Sequence, residues 1–126
     1  MTPPGPLILV VDDDPDTREL LGLTLQDLGF RVAHGLDGGD AVSKALALRP
    51  DAIVMDYTMP VVDGGEAARQ LATDARTQSI PVLLLSGDPD YLSPDVRPRC
   101  AVFLPKPCEP EALGSALQRV LATAPG

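Results

Sequence analysis

Cysteine and histidine are scarce in this chain, which has only Cys100, Cys108 and His34. Without a CxxC spacing or a second imidazole they cannot assemble a Cys/His zinc site, and two reduced structural thiols are the expectation. Basic residues are also few: 10 Lys and Arg against 18 Asp and Glu give a formal charge of −8. Such a field repels a phosphate backbone or an anionic bilayer, so direct binding of nucleic acid or membrane is not expected. No apolar run approaches the roughly 20 residues of a membrane span; runs such as 7–11 and 82–85 are strand-sized. Residues 1–6 lack the basic start and apolar stretch of a secretory signal, so the cytoplasm is the expected location. No GxxxxGK[ST] loop follows any strand-like run, which argues against a nucleotide switch.

What is present is an ordinary globular balance, 44% hydrophobic and 22% charged over 126 residues. That length suits a single domain, residues 1–126, with its core in 7–122 and Pro/Gly-rich ends. Short β-like runs alternate with segments of helical period, the pattern of β-α-β units around a parallel sheet, so the class is α/β. Strands are predicted at 7–11, 30–34, 52–55, 80–85 and 101–104. Asp14 and Pro15 read as an N-cap and first helical residue, with Leu21, Leu25 and Leu28 on one face before Gly29 ends the helix. Further helices are predicted at 37–48 (Val42, Ala45 and Leu46 inward), 64–73 and 110–122 (Leu113, Leu117, Val120 and Leu121 inward). Between 87 and 99 a crossover connection is required, yet Pro89, Pro94 and Pro98 oppose a regular helix there.

In open parallel sheets ligands bind beyond the carboxyl ends of the strands, where strand order reverses. Asp12 and Asp13 follow the first strand, Asp56 the third, Ser86 the fourth and Lys106 the fifth. Two carboxylates about 5 Å apart repel by about 3 kcal/mol at an effective dielectric near 20, so three need a cation or must hold protons. Hard oxygen ligands on a partly open rim suit Mg²⁺. A carboxylate beside a divalent metal and an ammonium is a plausible nucleophile toward phosphorus, and its product would be an aspartyl phosphate. Asp14 and Asp16 are more simply an N-cap and a first-turn acid, and Asp63-Gly64 a turn.

Four stretches carry a pattern beyond this: Leu9-Val10-Val11-Asp12-Asp13-Asp14-Pro15; Asp51-Ala52-Ile53-Val54-Met55-Asp56-Tyr57-Thr58-Met59-Pro60 with Asp63-Gly64; Ser86-Gly87; and Phe103-Leu104-Pro105-Lys106-Pro107. In this order they make the chain resemble the receiver domain of two-component response regulators, from Leu7 to about Leu121. The resemblance implies a flavodoxin-like, doubly wound five-stranded parallel sheet of order 2-1-3-4-5. It also implies a phosphoacceptor that takes its phosphoryl group from a histidine kinase or histidine phosphotransfer protein and switches a surface read by a downstream protein. Such a domain is not a conventional enzyme, since it catalyses only its own phosphorylation and dephosphorylation. Asp56 matches the acceptor. Asp12 and Asp13 match the acid pair that holds Mg²⁺ with Asp56, and Thr58 matches the position whose backbone carbonyl completes the protein's ligands. Ser86 and Lys106 match the residues that bind phosphoryl oxygens, Ser86 and Phe103 the switch pair, and Lys106-Pro107 the site of a cis peptide.

The chain departs from the family pattern in places. Ser86 stands where Thr is common, Gly87 where Ala is usual, and Arg99-Cys100 where Gly-Ala is frequent. The span from Ser86 to Lys106 is slightly short and proline-bearing, which predicts a shortened or irregular fourth helix and a monomer. Two alternatives remain at this point: a receiver within a longer regulator or hybrid kinase, and a Mg²⁺-dependent aspartate-nucleophile phosphatase. The second needs DxDx[TV], whereas Asp12-Asp13-Asp14-Pro15-Asp16 has an acid at the last position and the chain has no length for a cap domain.

Overall fold

A strand made only of apolar residues must be covered on both faces, and Leu7–Val11 occupies such a place. In the computed structural model, which describes residues 5–57, 64–87, 101–105 and 109–123, this strand is β1. It is followed by α1 (Pro15–Asp27), β2 (Arg31–Gly35), α2 (Gly38–Leu48), β3 (Ala52–Asp56), α3 (Gly64–Thr73), β4 (Val82–Ser86), β5 (Val102–Pro105) and α4 (Pro110–Thr123). All strand pairs are parallel and the order is β2-β1-β3-β4-β5. The expected doubly wound sheet is therefore the one observed.

Because successive side chains of a strand point to opposite faces, the same strands feed two cores. Leu9, Val11, Ile53, Met55 and Leu84 pack with Ala41 and Ala45 of α2 and Ala67 and Leu71 of α3. Ile8, Val10, Val54, Leu83 and Leu85 pack with Leu25 of α1 and Leu113, Ala116, Leu117 and Val120 of α4. The central strands are thereby fully enclosed, while the edge strand β2 is largely accessible.

Helix starts follow the local chemistry. Asp14 caps α1 by accepting the Thr17 amide. At α2 the capping is reciprocal: Asp37 accepts the Asp40 amide at 2.8 Å, and Asp40 accepts the Leu36 amide at 2.9 Å. This pair allows Gly38 and Gly39 to sit in the first turn in spite of their poor helix propensity.

Several expected boundaries and inward residues need correction. The second strand begins at Arg31 rather than residue 30, because the Phe30 amide donates to Leu25 O at 3.0 Å and closes α1 instead. The fourth begins at Val82 rather than residue 80: the Ile80 amide donates to Thr77 O, and Pro81 has no N–H. The fifth is shifted by one, so that Pro105 pairs with Ser86. Leu28, expected inward, caps α1 and is 47% exposed, whereas Ala41 and Ala116, which the periodicity did not single out, are fully buried. The proline-bearing segment 88–100, with Cys100, and residues 106–108, with Cys108, lie outside the described residues.

Helix α1 approaches β2 closely at Gly22, where a Cβ would stand 2.6 Å from His34 Cε1. The His34 pKa is lowered from 6.5, first by partial burial of the ring and then by the charges of Arg18 and Lys44, with Glu19 opposing. A histidine whose folded pKa is depressed binds more protons in the unfolded chain. Its contribution to stability is present above about pH 6.5 and is lost as pH falls through the lower folded value. The single imidazole makes this directly measurable: the His34 ring proton resonance should titrate below pH 6.5, and urea stability between pH 7 and 5.5 should fall more in the wild type than in His34→Gln. An unshifted or raised pKa would contradict the packing described.

Candidate functional site

Pairing of β1 with β3 ends at Val11 and Met55, so one residue further along both strands Asp12 and Asp56 stand side by side. Both are buried, at 1% and 6% exposure, while Asp13 is exposed. Carboxylate oxygens of Asp12, Asp13 and Asp56 lie within 4.8 Å of one another, the one such acidic group among the described residues. They sit at the switch point of the sheet, where the chain leaves β1 for one face and β3 for the other.

Among the described residues, three hydrogen bonds hold Asp12. Its amide donates to Gly35 O at 3.3 Å, its carbonyl accepts Arg18 Nη1 at 2.9 Å, and its Oδ1 accepts the Asp14 amide at 2.9 Å. Asp14 itself accepts the Thr17 amide and hydroxyl at the helix start, the N-cap place read from the sequence. At the other strand end, the Tyr57 amide donates to Leu85 O at 2.9 Å and its carbonyl accepts the Gly64 amide at 2.8 Å.

The sequence places Gly64 both in an Asp63-Gly64 turn and at the start of the helix 64–73, with no site role of its own. It is the first residue of α3, and a Cβ there would overlap the Asp56 carbonyl oxygen and stand 2.8 Å from Tyr57 Cα. The helix can start directly against the end of β3 only because this residue has no side chain. Its signal in the sequence was a glycine shortly after a strand-end acid, but nothing in the spacing showed what it would touch.

Ser86 ends β4 at 5% exposure, one position beyond the Asp56–Leu85 pair. Phe103, the register partner of Leu84, is partly buried against the α2/α3-side core. Ser86 shares the parity of Leu84, so Ser86 and Phe103 belong to the same face of the sheet. Thr58, Lys106 and the Lys106–Pro107 peptide lie outside the described residues. The structure thus brings Asp12, Asp13 and Asp56 together and sets Ser86 and Phe103 on the neighbouring strands.

As a donor set, three carboxylates offer hard oxygen ligands and a formal charge of −3, which suits a small divalent cation with some coordination left to water. Comparison with known proteins agrees with this geometry. The sequence profile of the response regulator receiver domain matches residues 8–118. The chain belongs to that family. It is 36% identical over 118 residues to protein PilH of Pseudomonas aeruginosa, an alignment covering 91% of this chain and 97% of PilH. It is 40% identical over 81 residues to the DNA-binding dual master transcriptional regulator RpaA of Synechocystis, covering 64% of this chain and 34% of RpaA. It therefore spans nearly all of one relative and about a third of the other. Among solved structures it is similar to the receiver domain of a Pseudomonas aeruginosa sensor histidine kinase with a magnesium ion coordinated in its active site cleft. That likeness has a TM-score of 0.85 and 32% identity, and covers 94% of this chain and 99% of the other.

Receiver domains are signalling domains that interact with histidine kinases and downstream effectors. Consistent with the sequence, no helix among the described residues is long and apolar enough to cross a membrane.

The two glycines flanking the site give a paired test. Gly64→Ala should destabilise the receiver by about 1–3 kcal/mol through overpacking against β3. Gly87→Ala, at a position where no atom of the described residues comes within 4 Å of a Cβ, should change stability by less than about 0.5 kcal/mol. Urea denaturation checks both, and a neutral Gly64→Ala would contradict the close approach.

Proposed function

We propose that Asp56 accepts a phosphoryl group from the phosphohistidine of a histidine kinase or histidine phosphotransfer protein. The observation that supports this best is the meeting of three carboxylates at the adjoining ends of β1 and β3. One Asp56 oxygen attacks phosphorus in line; the O–P bond forms as the P–N bond breaks, and the electron pair leaves with the imidazole nitrogen, which takes a proton. Asp12 and Asp13, with Asp56 and the Thr58 carbonyl, would hold Mg²⁺, which supplies charge neutralisation for the phosphoryl oxygens. The Ser86 hydroxyl and the Lys106 ammonium would receive the remaining phosphoryl oxygens. Burial of Asp12 and Asp56 keeps water away from one side of the acceptor and lowers the dielectric in which these charges act.

The same groups would catalyse hydrolysis of the aspartyl phosphate, so the domain acts on itself and has no separate substrate. Phosphorylation would draw Ser86 toward the phosphoryl group and let Phe103 move inward, altering the surface that a protein target reads. Residues 1–126 would act as one receiver unit in the cytoplasm, as a monomer and through protein partners. The net charge of −8 disfavours nucleic acid and membrane surfaces. This role is the same whether the receiver works alone or within a longer regulator.

Acetyl phosphate with Mg²⁺ should add one phosphoryl group, seen by intact-protein mass spectrometry, and Asp56→Asn should not be labelled. Equal labelling of Asp56→Asn would reject the assignment. In a Mg²⁺ titration, Asp13→Asn should weaken binding strongly, whereas Asp14→Asn, which alters a helix cap, should weaken it little. Equal losses would place the metal elsewhere.

A further inference from the structure

Arg18 lies one turn into α1, and its guanidinium reaches back over the chain to Asp12 O at 2.9 Å. It forms no ion pair with any carboxylate of the described residues, although three carboxylates gather at the end of the strand it touches. A half-buried arginine whose hydrogen bond goes to a single backbone carbonyl beside an acidic cluster requires an explanation. That carbonyl belongs to the peptide joining Asp12 to Asp13, beyond the last β1–β3 pair at Val11 and Met55. The sheet therefore does not fix this peptide.

We infer that Arg18 is a positioning residue for the metal-binding acid pair: its bond to Asp12 O fixes the plane of the Asp12–Asp13 peptide, and hence the direction in which Asp13 presents its carboxylate. Asp12 has two further anchors, the amide bond to Gly35 O and the Oδ1 bond from the Asp14 amide. Asp13 is exposed and hangs from the peptide that Arg18 holds. The planar guanidinium suits the task because it keeps its charge and its donor geometry together on a partly buried carbonyl. The inference rests on the reading of Asp12 and Asp13 as Mg²⁺ ligands.

Positioning and simple charge predict opposite signs. A cation near the site repels a divalent metal, so if Arg18 acted only through its charge, its removal would tighten Mg²⁺ binding. If it orients the ligands, its removal weakens binding, and loss of a residue that orients metal ligands typically costs about 10- to 100-fold in affinity. A role confined to packing would lower stability and leave affinity unchanged.

The test is calorimetric titration of the metal-free protein with Mg²⁺, with urea stability measured alongside. Arg18→Ala should bind Mg²⁺ about tenfold more weakly, and its acetyl phosphate labelling rate at saturating Mg²⁺ should recover to nearly the wild-type value. Arg18→Lys, which keeps the charge and can reach the carbonyl but lacks the fork, should lose less. Unchanged or tighter Mg²⁺ binding by folded Arg18→Ala overturns the inference. Should Arg18→Ala not fold, Arg18→Met, which keeps the aliphatic stem and removes the donors, takes its place: weaker Mg²⁺ binding upholds the inference and unchanged or tighter binding overturns it. If the wild type binds no Mg²⁺, the reading of the acidic group fails first, so the two failures are distinguishable.

Discussion

Three carboxylates held together at the end of a parallel sheet repel one another, and the rest of the structure keeps them there. At about 5 Å and an effective dielectric near 20, two unit charges repel by about 3 kcal/mol; the oxygens of Asp12, Asp13 and Asp56 come within 4.8 Å, and solvent screens exposed Asp13 more than the buried Asp12 and Asp56. Strand order makes the juxtaposition unavoidable, since β1 and β3 are neighbours that end in step. Relief by splaying the strands is opposed on both sides. Ile8, Leu9, Val10, Ile53, Val54 and Met55 are fully buried between two helical layers, and separating them would expose apolar surface at roughly 25 cal/mol per Å². The hydrophobic core thus holds the charges in proximity at the switch point of the sheet.

The helices contribute in unequal ways. Through Gly64, α3 sits directly on the backbone of Asp56 and Tyr57, so the end of β3 has little room to shift. Helix α1 contributes both the Asp14 cap, which turns the chain away from the site, and Arg18, which returns to the Asp12 carbonyl. The β1–α1 connection is therefore fixed by side chains where the sheet no longer reaches. On the far side, Ser86 and Phe103 share one face of neighbouring strands, next to the core packed by α2 and α3.

Much of this was legible in the sequence because it is local. An apolar run that stops abruptly at an acid, as at Val11-Asp12 and Met55-Asp56, gives both a buried strand and the chemistry at its end. The Asp14-Pro15 helix start was legible for the same reason. What escaped depended on particular hydrogen bonds and close approaches that hydrophobic periodicity does not encode. The amides of Phe30 and Ile80 look strand-like by composition but are taken by Leu25 O and Thr77 O, partners that periodicity does not show. Leu28 fits the helical stripe but falls at the cap, where the stripe has ended. Gly64 and Arg18 matter through a missing Cβ and a long side chain reaching a backbone carbonyl, and neither leaves a periodic trace.

The central claim is that packing holds the acidic group together against its own repulsion. The most direct measurement is the urea stability of the wild type and of Asp56→Asn, each with and without Mg²⁺. Without metal, removal of one charge from the group should make Asp56→Asn more stable than the wild type, and Mg²⁺ should stabilise the wild type more than the variant. A metal-free Asp56→Asn no more stable than the wild type, with an equal Mg²⁺ effect on both, would contradict the account.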